Sequence, residues 1–196
     1  MKRILPLVST VSSWKISPSS LQTREWRQQQ SWYNNGKFHE CERYQKQHLL
    51  QLLREPMKPT FDRIYFPTDE IISHPMPMTQ RDGYEWSENW DGKLFMGGQL
   101  LYFNLKFVCS RGGMQTRTMR EVYRFIKHQF QHMDKFDAST TRFINILDGD
   151  GCFHNKHHID YIRESYREEL NKRIFVGSLY EFTQTYTDFV GQKKNT

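Results

Sequence analysis

Hydrophobic positions along the chain change repeatedly between helical spacing and strand spacing. Apolar residues three and four positions apart predict helices at residues 39–54, 116–133 and 157–171, and a last helix capped by Ser178. Alternating or continuous apolar runs predict strands at residues 63–66, 99–109, 142–147 and 173–176. Helices that alternate with strands in this way predict an α/β fold, with a central mixed sheet flanked by helices.

A hairpin at residues 90–109 is the most informative part of this pattern. Its first strand opens at Asp91-Gly92, and the chain turns at Gly97-Gly98 into the return strand. One face of the return strand is wholly apolar and is assigned to the core: Leu101, Phe103, Leu105 and Phe107. The other face places Asn104 and Lys106 side by side, near the Asp91 carboxylate. Because an unpaired lysine in an apolar strand loses its hydration, this arrangement favours a functional site.

Four carboxylates lie within the ten residues that lead into this hairpin: Asp82, Glu85, Glu88 and Asp91. Carboxylates at this density repel one another unless a cation or a basic group lies between them. A hard divalent ion such as Mg²⁺ is therefore a natural partner. Taken alone, the segment also fits a solvated acidic loop.

Composition and charge narrow the class of protein. A chain of 196 residues predicts one domain over residues 1–196, with an N-terminal helical arm over about residues 1–55. The formal charge of +6 suits a polyanionic partner, and the 15% aromatic content supplies both core and stacking surfaces.

Other features of the composition bear on the compartment. The three cysteines are far apart, which favours a reducing compartment such as the cytoplasm over a disulfide framework. There is no run of 18 apolar residues, so we expect no membrane span. The first twenty residues are basic and rich in serine, and we interpret them as an ordinary arm in preference to a targeting segment.

The hairpin and the segments after it resemble the PD-(D/E)xK nuclease superfamily, and more narrowly the type II restriction endonucleases. Asp91 matches the aspartate of the hallmark motif, and Asn104-Leu105-Lys106 occupies the Glu-x-Lys triplet. The glycine-rich run that follows Lys106 and the strand end at residues 143–150 are similar to segments of some of these enzymes. The resemblance covers about residues 82–150. It departs from the family pattern at Asn104, which brings no negative charge where the family has a glutamate.

The resemblance implies a restriction-endonuclease-like fold and Mg²⁺-dependent cleavage of double-stranded DNA at a short sequence, leaving a 5′-phosphate. Asp91, with Glu88 as a second carboxylate, would hold Mg²⁺, and Asn104 would complete the coordination. Lys106 would polarise the attacking water or stabilise the charge that develops on the phosphate. Because cutting both strands requires two sites related by a two-fold axis, we expect a homodimer.

The glycine-rich run and the start of the following helix are the expected DNA-binding surface. Helix N-termini bind phosphate, and glutamine and arginine side chains suit bidentate contacts with base edges. The residues assigned to DNA contact are Arg111, Gln115, Thr116, Arg117 and Arg120. A structural loop with a helix cap is the alternative interpretation of this segment. Two other functions stay open: a DNA-binding relative disabled at Asn104, and an RNA-processing or repair nuclease of the same fold.

Some polar residues are assigned no chemistry. We expect Lys127 and His128 to face solvent, and Lys46 to belong to a solvated helix face. Asp148, at the end of a strand, would either orient a group of the site or cap the next loop. The histidines at positions 154, 157 and 158 lack the second well-spaced pair that a zinc site needs.

Overall fold

A computed structural model describes residues 40–73, 84–108, 113–136 and 139–190 of the chain. Within these ranges the helices are α1 (Glu40–Leu53), α2 (Gly113–Lys135), α3 (Asp150–His154), α4 (Lys156–Glu164), α5 (Glu168–Asn171) and α6 (Leu179–Phe189). The strands are β1 (Asp62–Tyr65), β2 (Glu70–Ser73), β3 (Gly92–Met96), β4 (Gln99–Phe107), β5 (Thr141–Asp148) and β6 (Ile174–Gly177). Most of the predicted N-terminal arm, residues 1–39, lies outside the described ranges.

The centre of the fold is a mixed four-stranded sheet with the order β3-β4-β5-β6. β3 and β4 form the predicted antiparallel hairpin, and the turn between them places Gly97 at φ 58° and Gly98 at φ 77°. Two successive positive φ angles strongly favour glycine, which explains why this turn could be read from the sequence. β5 runs parallel to both β4 and β6. The predicted α/β fold with a mixed sheet between helices is therefore confirmed.

Both faces of the sheet are buried, as is usual where parallel strands are covered by helices. On one face, Leu101, Phe103 and Leu105 of β4 pack with apolar residues of α1 and α6. On the other, Tyr102 of β4 and Phe143 of β5 pack with residues of α2, α4 and α5. The apolar face of β4 was predicted to be core, and this is confirmed for its three buried residues. The opposite face is also largely core.

A second, two-stranded sheet pairs β1 with β2 in antiparallel fashion. β1 matches the strand predicted at residues 63–66, whereas β2 was not predicted from the sequence. Asp62 of β1 ties this small sheet to the central one. Its carboxylate accepts hydrogen bonds from Lys93 Nζ at 2.6 Å and from Tyr102 Oη at 2.9 Å. The small sheet is thus anchored beside β3 and β4.

Two predictions about the outer helices are wrong. The helix expected over residues 157–171 is two helices, α4 and α5. The chain turns at Ser165–Arg167 so that both Ile162 and Leu170 reach the core. His128 does not face solvent either: its Nδ1 lies 2.5 Å from Asp69 Oδ1, and only 16% of its side chain is exposed. Lys127 is exposed, as expected.

None of the helices in the described ranges has both the length and the apolar character needed to cross a bilayer.

Candidate active site

One face of α1 lies against the carboxyl end of β4. Glu42, Gln45 and Lys46 share this face because they are three and four positions apart. Gln45 is fully buried, and its Nε2 donates to the main-chain carbonyl of Lys106 at 3.2 Å. Lys46 Nζ lies 3.5 Å from Asp91 Oδ1, with 42% of the lysine side chain exposed. Lys46 therefore contacts the site and does not belong to a purely solvated helix face.

Asp91 is held rigidly just before β3. Its backbone N–H donates to the carbonyl of Phe103 at 2.8 Å, and its Oδ2 accepts from the backbone N–H of Leu105 at 2.8 Å. The carboxylate thus satisfies a donor of β4 at the point where the pairing with β3 stops. Its other oxygen points towards Lys46. Since only 17% of the side chain is exposed, the charge of Asp91 acts at a fixed place in the site.

Lys106 and Glu88 form an ion pair beside Asp91. Burial disfavours the charged form of Lys106, but the carboxylates of Glu88, Asp91 and Glu42 outweigh it and raise the pKa of the lysine. Lys106 is therefore protonated at neutral pH. A lysine held as an ammonium stabilises negative charge and does not accept a proton.

Glu42 is a carboxylate of the site that the sequence pattern did not reveal. Burial raises the pKa of its carboxyl group above the ordinary value, and the negative charge of Asp91 adds to the rise. Lys106 and Lys46 act in the opposite direction. The site thus combines the side chains of Glu42, Glu88 and Asp91 with two lysines. The only clue in the sequence was the i, i+3, i+4 spacing of polar residues in α1.

Asn104 lies on the expected face of β4, but it is 98% buried inside the sheet–helix interface. Its Nδ2 donates to Asn145 Oδ1 at 3.0 Å, and Asn145 exchanges two further hydrogen bonds with Gln129 of α2, at 2.8 and 3.1 Å. The structure thus brings Glu88, Asp91 and Lys106 together, as the sequence predicted. The amide of Asn104, which was expected to complete the metal coordination, takes part in a buried amide network instead.

Asp148 supports the site from the interior of the protein. It is fully buried at the end of β5, where its Oδ2 accepts from Gln45 Nε2 at 2.7 Å and its Oδ1 from the backbone N–H of Leu179 at 3.1 Å. Burial raises the pKa of Asp148 to about 7. Through Gln45, this carboxyl group connects α1, α6 and the Lys106 backbone. Asp148 thus holds the Gln45 side chain in place, and it also accepts a hydrogen bond from the first turn of α6.

A cavity of about 260 Å³ opens beside the Glu88–Lys106 pair, between residues 84–88 and α2. Four of its eleven lining residues are aromatic: Phe66, Tyr84, Trp86 and Phe125. Lys106 and Glu88 form part of its lining, so the cavity is continuous with the charged site.

The residues assigned to DNA contact are only partly described. Arg111 lies outside the described residues, as does the side chain of Gln115. Thr116, Arg117 and Arg120 are exposed near the start of α2, where Arg117 pairs with Glu121 at 3.1 Å. Thr116 and Arg120 line a depression against α4, separate from the Lys106 cavity. These side chains therefore do not converge with the carboxylates.

The donor types of the site suit a hard divalent cation. Within the described residues, no three or more His, Cys, Asp and Glu side chains are arranged to hold a metal ion. However, Mg²⁺ usually takes only one or two protein carboxylates, together with water and phosphate oxygens. Asp91 with Glu42 or Glu88 provides that number. The raised pKa of Glu42 also reflects repulsion from neighbouring carboxylates, which an added cation would relieve.

Comparisons of the chain with family models, curated proteins and solved structures give no match.

Proposed function

We propose that the protein is a Mg²⁺-dependent endonuclease that cleaves double-stranded DNA at a short sequence, in the manner of a type II restriction enzyme. The observation that carries this proposal is the meeting of Asp91, Glu42 and Glu88 with a protonated Lys106 at one end of the sheet. The restriction-endonuclease-like fold and the homodimer belong to the same proposal. Two copies would place one site on each strand.

The role of each side chain in cleavage would follow from its charge. Asp91 and Glu42 would hold the metal, with Glu88 as a further carboxylate at the exposed rim. When bound, Mg²⁺ would supply a Lewis acid for the phosphate and a more acidic water. Lys106, held in its charged form, would stabilise the negative charge that develops on the phosphate. The product would carry a 5′-phosphate.

Glu42 would compensate for the asparagine at position 104. The family pattern places two carboxylates on adjacent strands, and here β4 brings an amide that is engaged in the core. Glu42 reaches the same site from α1, so a second negative charge is available without a glutamate in the triplet.

Incubation of the purified protein with supercoiled plasmid and Mg²⁺ tests the proposal. We expect discrete linear fragments, and we expect Lys106→Ala and Asp91→Ala to reduce cleavage at least about 100-fold. Lys156→Ala serves as the matched control, because Lys156 forms an exposed ion pair with Asp160 within α4. Full cleavage by either site variant would refute the site assignment, and smeared products would indicate a nuclease without sequence specificity.

A DNA-binding protein that does not cut is the second candidate. Two observations favour it. The Asn104 amide is hydrogen-bonded to Asn145, and Lys106 and Asp91 are each paired with a charged neighbour. In that case the plasmid would be retarded in a gel but not cut. The same assay thus separates the two functions.

A further inference from the structure

Aromatic rings form part of the lining of the cavity beside Lys106, and the proposed cleavage chemistry does not use these rings. The cavity volume of about 260 Å³ lies just below the roughly 300–1,000 Å³ of sites for drug-sized ligands. A single flat ring system is therefore a better match in size than an extended ligand.

The rings that line the cavity are held in place by their neighbours. The guanidinium group of Arg124 lies 4.0 Å from the centroid of the Phe66 ring, and the centroid of the His128 ring lies 4.3 Å from it. The Trp86 ring lies 4.7 Å from that of Tyr65. Because these contacts fix the ring orientations before any ligand enters, the walls are preorganised for stacking. Tyr84, with 87% of its surface exposed, lies at the mouth.

The polar part of the lining indicates which flat ligand would enter. Glu88 and Lys106 belong both to the cavity and to the charged cluster around Asp91. A nucleotide whose phosphate lies against Lys106 would place its base next to the aromatic walls. Thr118, Glu121 and Arg124 of α2 would then offer polar groups to the edge of that base.

We propose that this cavity receives one unpaired nucleobase of the DNA strand, adjacent to the phosphate at Lys106. The proposal rests on the DNA-cleaving function proposed above and extends it to a base-binding subsite. A base within a duplex cannot reach such a cavity, so the nucleotide must leave the stack, at the cost of unstacking and unpairing. Stacking on the aromatic walls would offset that cost.

A pair of bulged duplexes tests the subsite separately from cleavage. Both carry one extra nucleotide at the same position, and in the second duplex that nucleotide lacks its base. Fluorescence anisotropy is measured with Ca²⁺ in place of Mg²⁺, so that binding is followed without cutting. We expect the protein to bind the base-containing bulge about tenfold more tightly, since one stacked base contributes on this order.

Two variants locate the effect. Tyr84→Ala removes an exposed ring with little consequence for folding, and Trp86→Ala removes an indole ring that lines the cavity. Each should reduce the preference to below about twofold, whereas Trp86→Phe should retain most of it. Tyr161→Ala is the matched control, because Tyr161 is 66% exposed on α4 and lies outside the cavity.

The outcomes separate this proposal from the proposed function. Equal binding of the two bulges would overturn the base subsite and leave DNA cleavage standing. A preference that persists in Tyr84→Ala and Trp86→Ala would overturn the placement at this cavity. A base preference without cleavage in Mg²⁺ would support the subsite and reject the nuclease. Binding to none of the DNA probes would reject both.

Discussion

The ammonium group of Lys106 and the carboxyl group of Glu42 both retain their proton more strongly than usual. Burial acts on them in opposite directions, since it disfavours the charged form of each. For Lys106 the surrounding carboxylates outweigh burial, whereas for Glu42 the carboxylate of Asp91 adds to it. The carboxylates of the site therefore create a negative potential that favours protonation of both groups. The same potential favours the binding of a cation.

Replacement of Glu42 by glutamine tests its part in the site. We expect Glu42→Gln to reduce Mg²⁺-dependent cleavage by about 10- to 100-fold, the range seen for groups that support a metal site. Because the change removes a partly buried negative charge that lies near Asp91, the midpoint of thermal unfolding should not fall. Glu55→Gln, at an exposed position just after α1, should leave cleavage unchanged. An active Glu42→Gln variant would show that Asp91 and Glu88 suffice.

Asp148 should give the protein a distinctive dependence of stability on pH. Its folded-state pKa of about 7 lies above the ordinary value of 3.8, so its contribution to stability is complete below pH 4 and is lost as pH rises to 7. Relative to Asp148→Asn, the free energy of unfolding should fall by about 4 kcal/mol across this window. Urea unfolding at a series of pH values measures the difference.

The control for this measurement is Asp160→Asn, at an exposed ion pair, which should change the free energy of unfolding by less than about 1 kcal/mol at every pH. A pH-independent difference between Asp148→Asn and the natural protein would mean that Asp148 is ionised when folded.

At the scale of elements, α6 begins with a complete capping box. Ser178 Oγ accepts from the backbone N–H of Glu181 at 3.2 Å, and Glu181 Oε2 accepts from the backbone N–H of Ser178 at 2.7 Å. The next residue, Leu179, donates its backbone N–H to Asp148. The capping box thus fixes the end of α6 whose backbone also donates a hydrogen bond to the Asp148 carboxyl group.

Loss of this cap should destabilise the whole domain. We expect Ser178→Ala to lower the free energy of unfolding by about 1 kcal/mol, the usual effect of removing an N-cap side chain. Chemical denaturation followed by circular dichroism measures this change. Thr185→Ala, at an exposed position within α6, should have a smaller effect. Equal losses in the two variants would mean that the box contributes nothing specific.

Elements encoded by local patterns were predictable from the sequence. Gly97-Gly98 can hardly form anything but a tight turn, and the apolar alternation of β4 follows directly from its pleat. The break between α4 and α5 was not predictable, because it depends on where Leu170 finds space in the core. The burial of His128 likewise depends on Asp69, which lies far away in the chain.

The site was predictable where it lies on one hairpin. Asp91 and Lys106 lie at the two ends of one predicted hairpin, and pairing of β3 with β4 brings them together. Glu42 and Gln45 reach the same place only because α1 packs across the sheet. Their spacing marks a helix face, but it does not say which surface that face will cover.

At the scale of the whole molecule, the charge of +6 is at odds with a site rich in carboxylates. The described residues contain 18 Lys and Arg against 19 Asp and Glu, so the excess positive charge belongs to residues outside the described ranges. Among the described residues, Arg120 lies on a surface separate from the carboxylates, in the depression against α4.

DNA binding should therefore weaken steeply with salt. We expect the logarithm of the association constant to fall linearly with the logarithm of salt concentration, with a slope near −0.9 for each phosphate neutralised. Arg120→Ala should make this slope less negative by about 1. Arg167→Ala, which removes an exposed partner of Asp134, is the control and should leave the slope unchanged. Anisotropy titrations with EDTA provide the measurement, and salt-independent binding would contradict the assignment.

The buried amides of Asn104 and Asn145 have a consequence for how the strands align. They face each other as register partners of β4 and β5, and a slip of one residue would move the Asn104 amide to the wholly apolar face. Such a slip would leave the Asn104 amide without its partner, whereas Asn145 would keep its hydrogen bonds with Gln129. The amide pair therefore fixes the register of β4 against β5. This register in turn fixes the position of Lys106, two residues after Asn104, relative to the carboxylates.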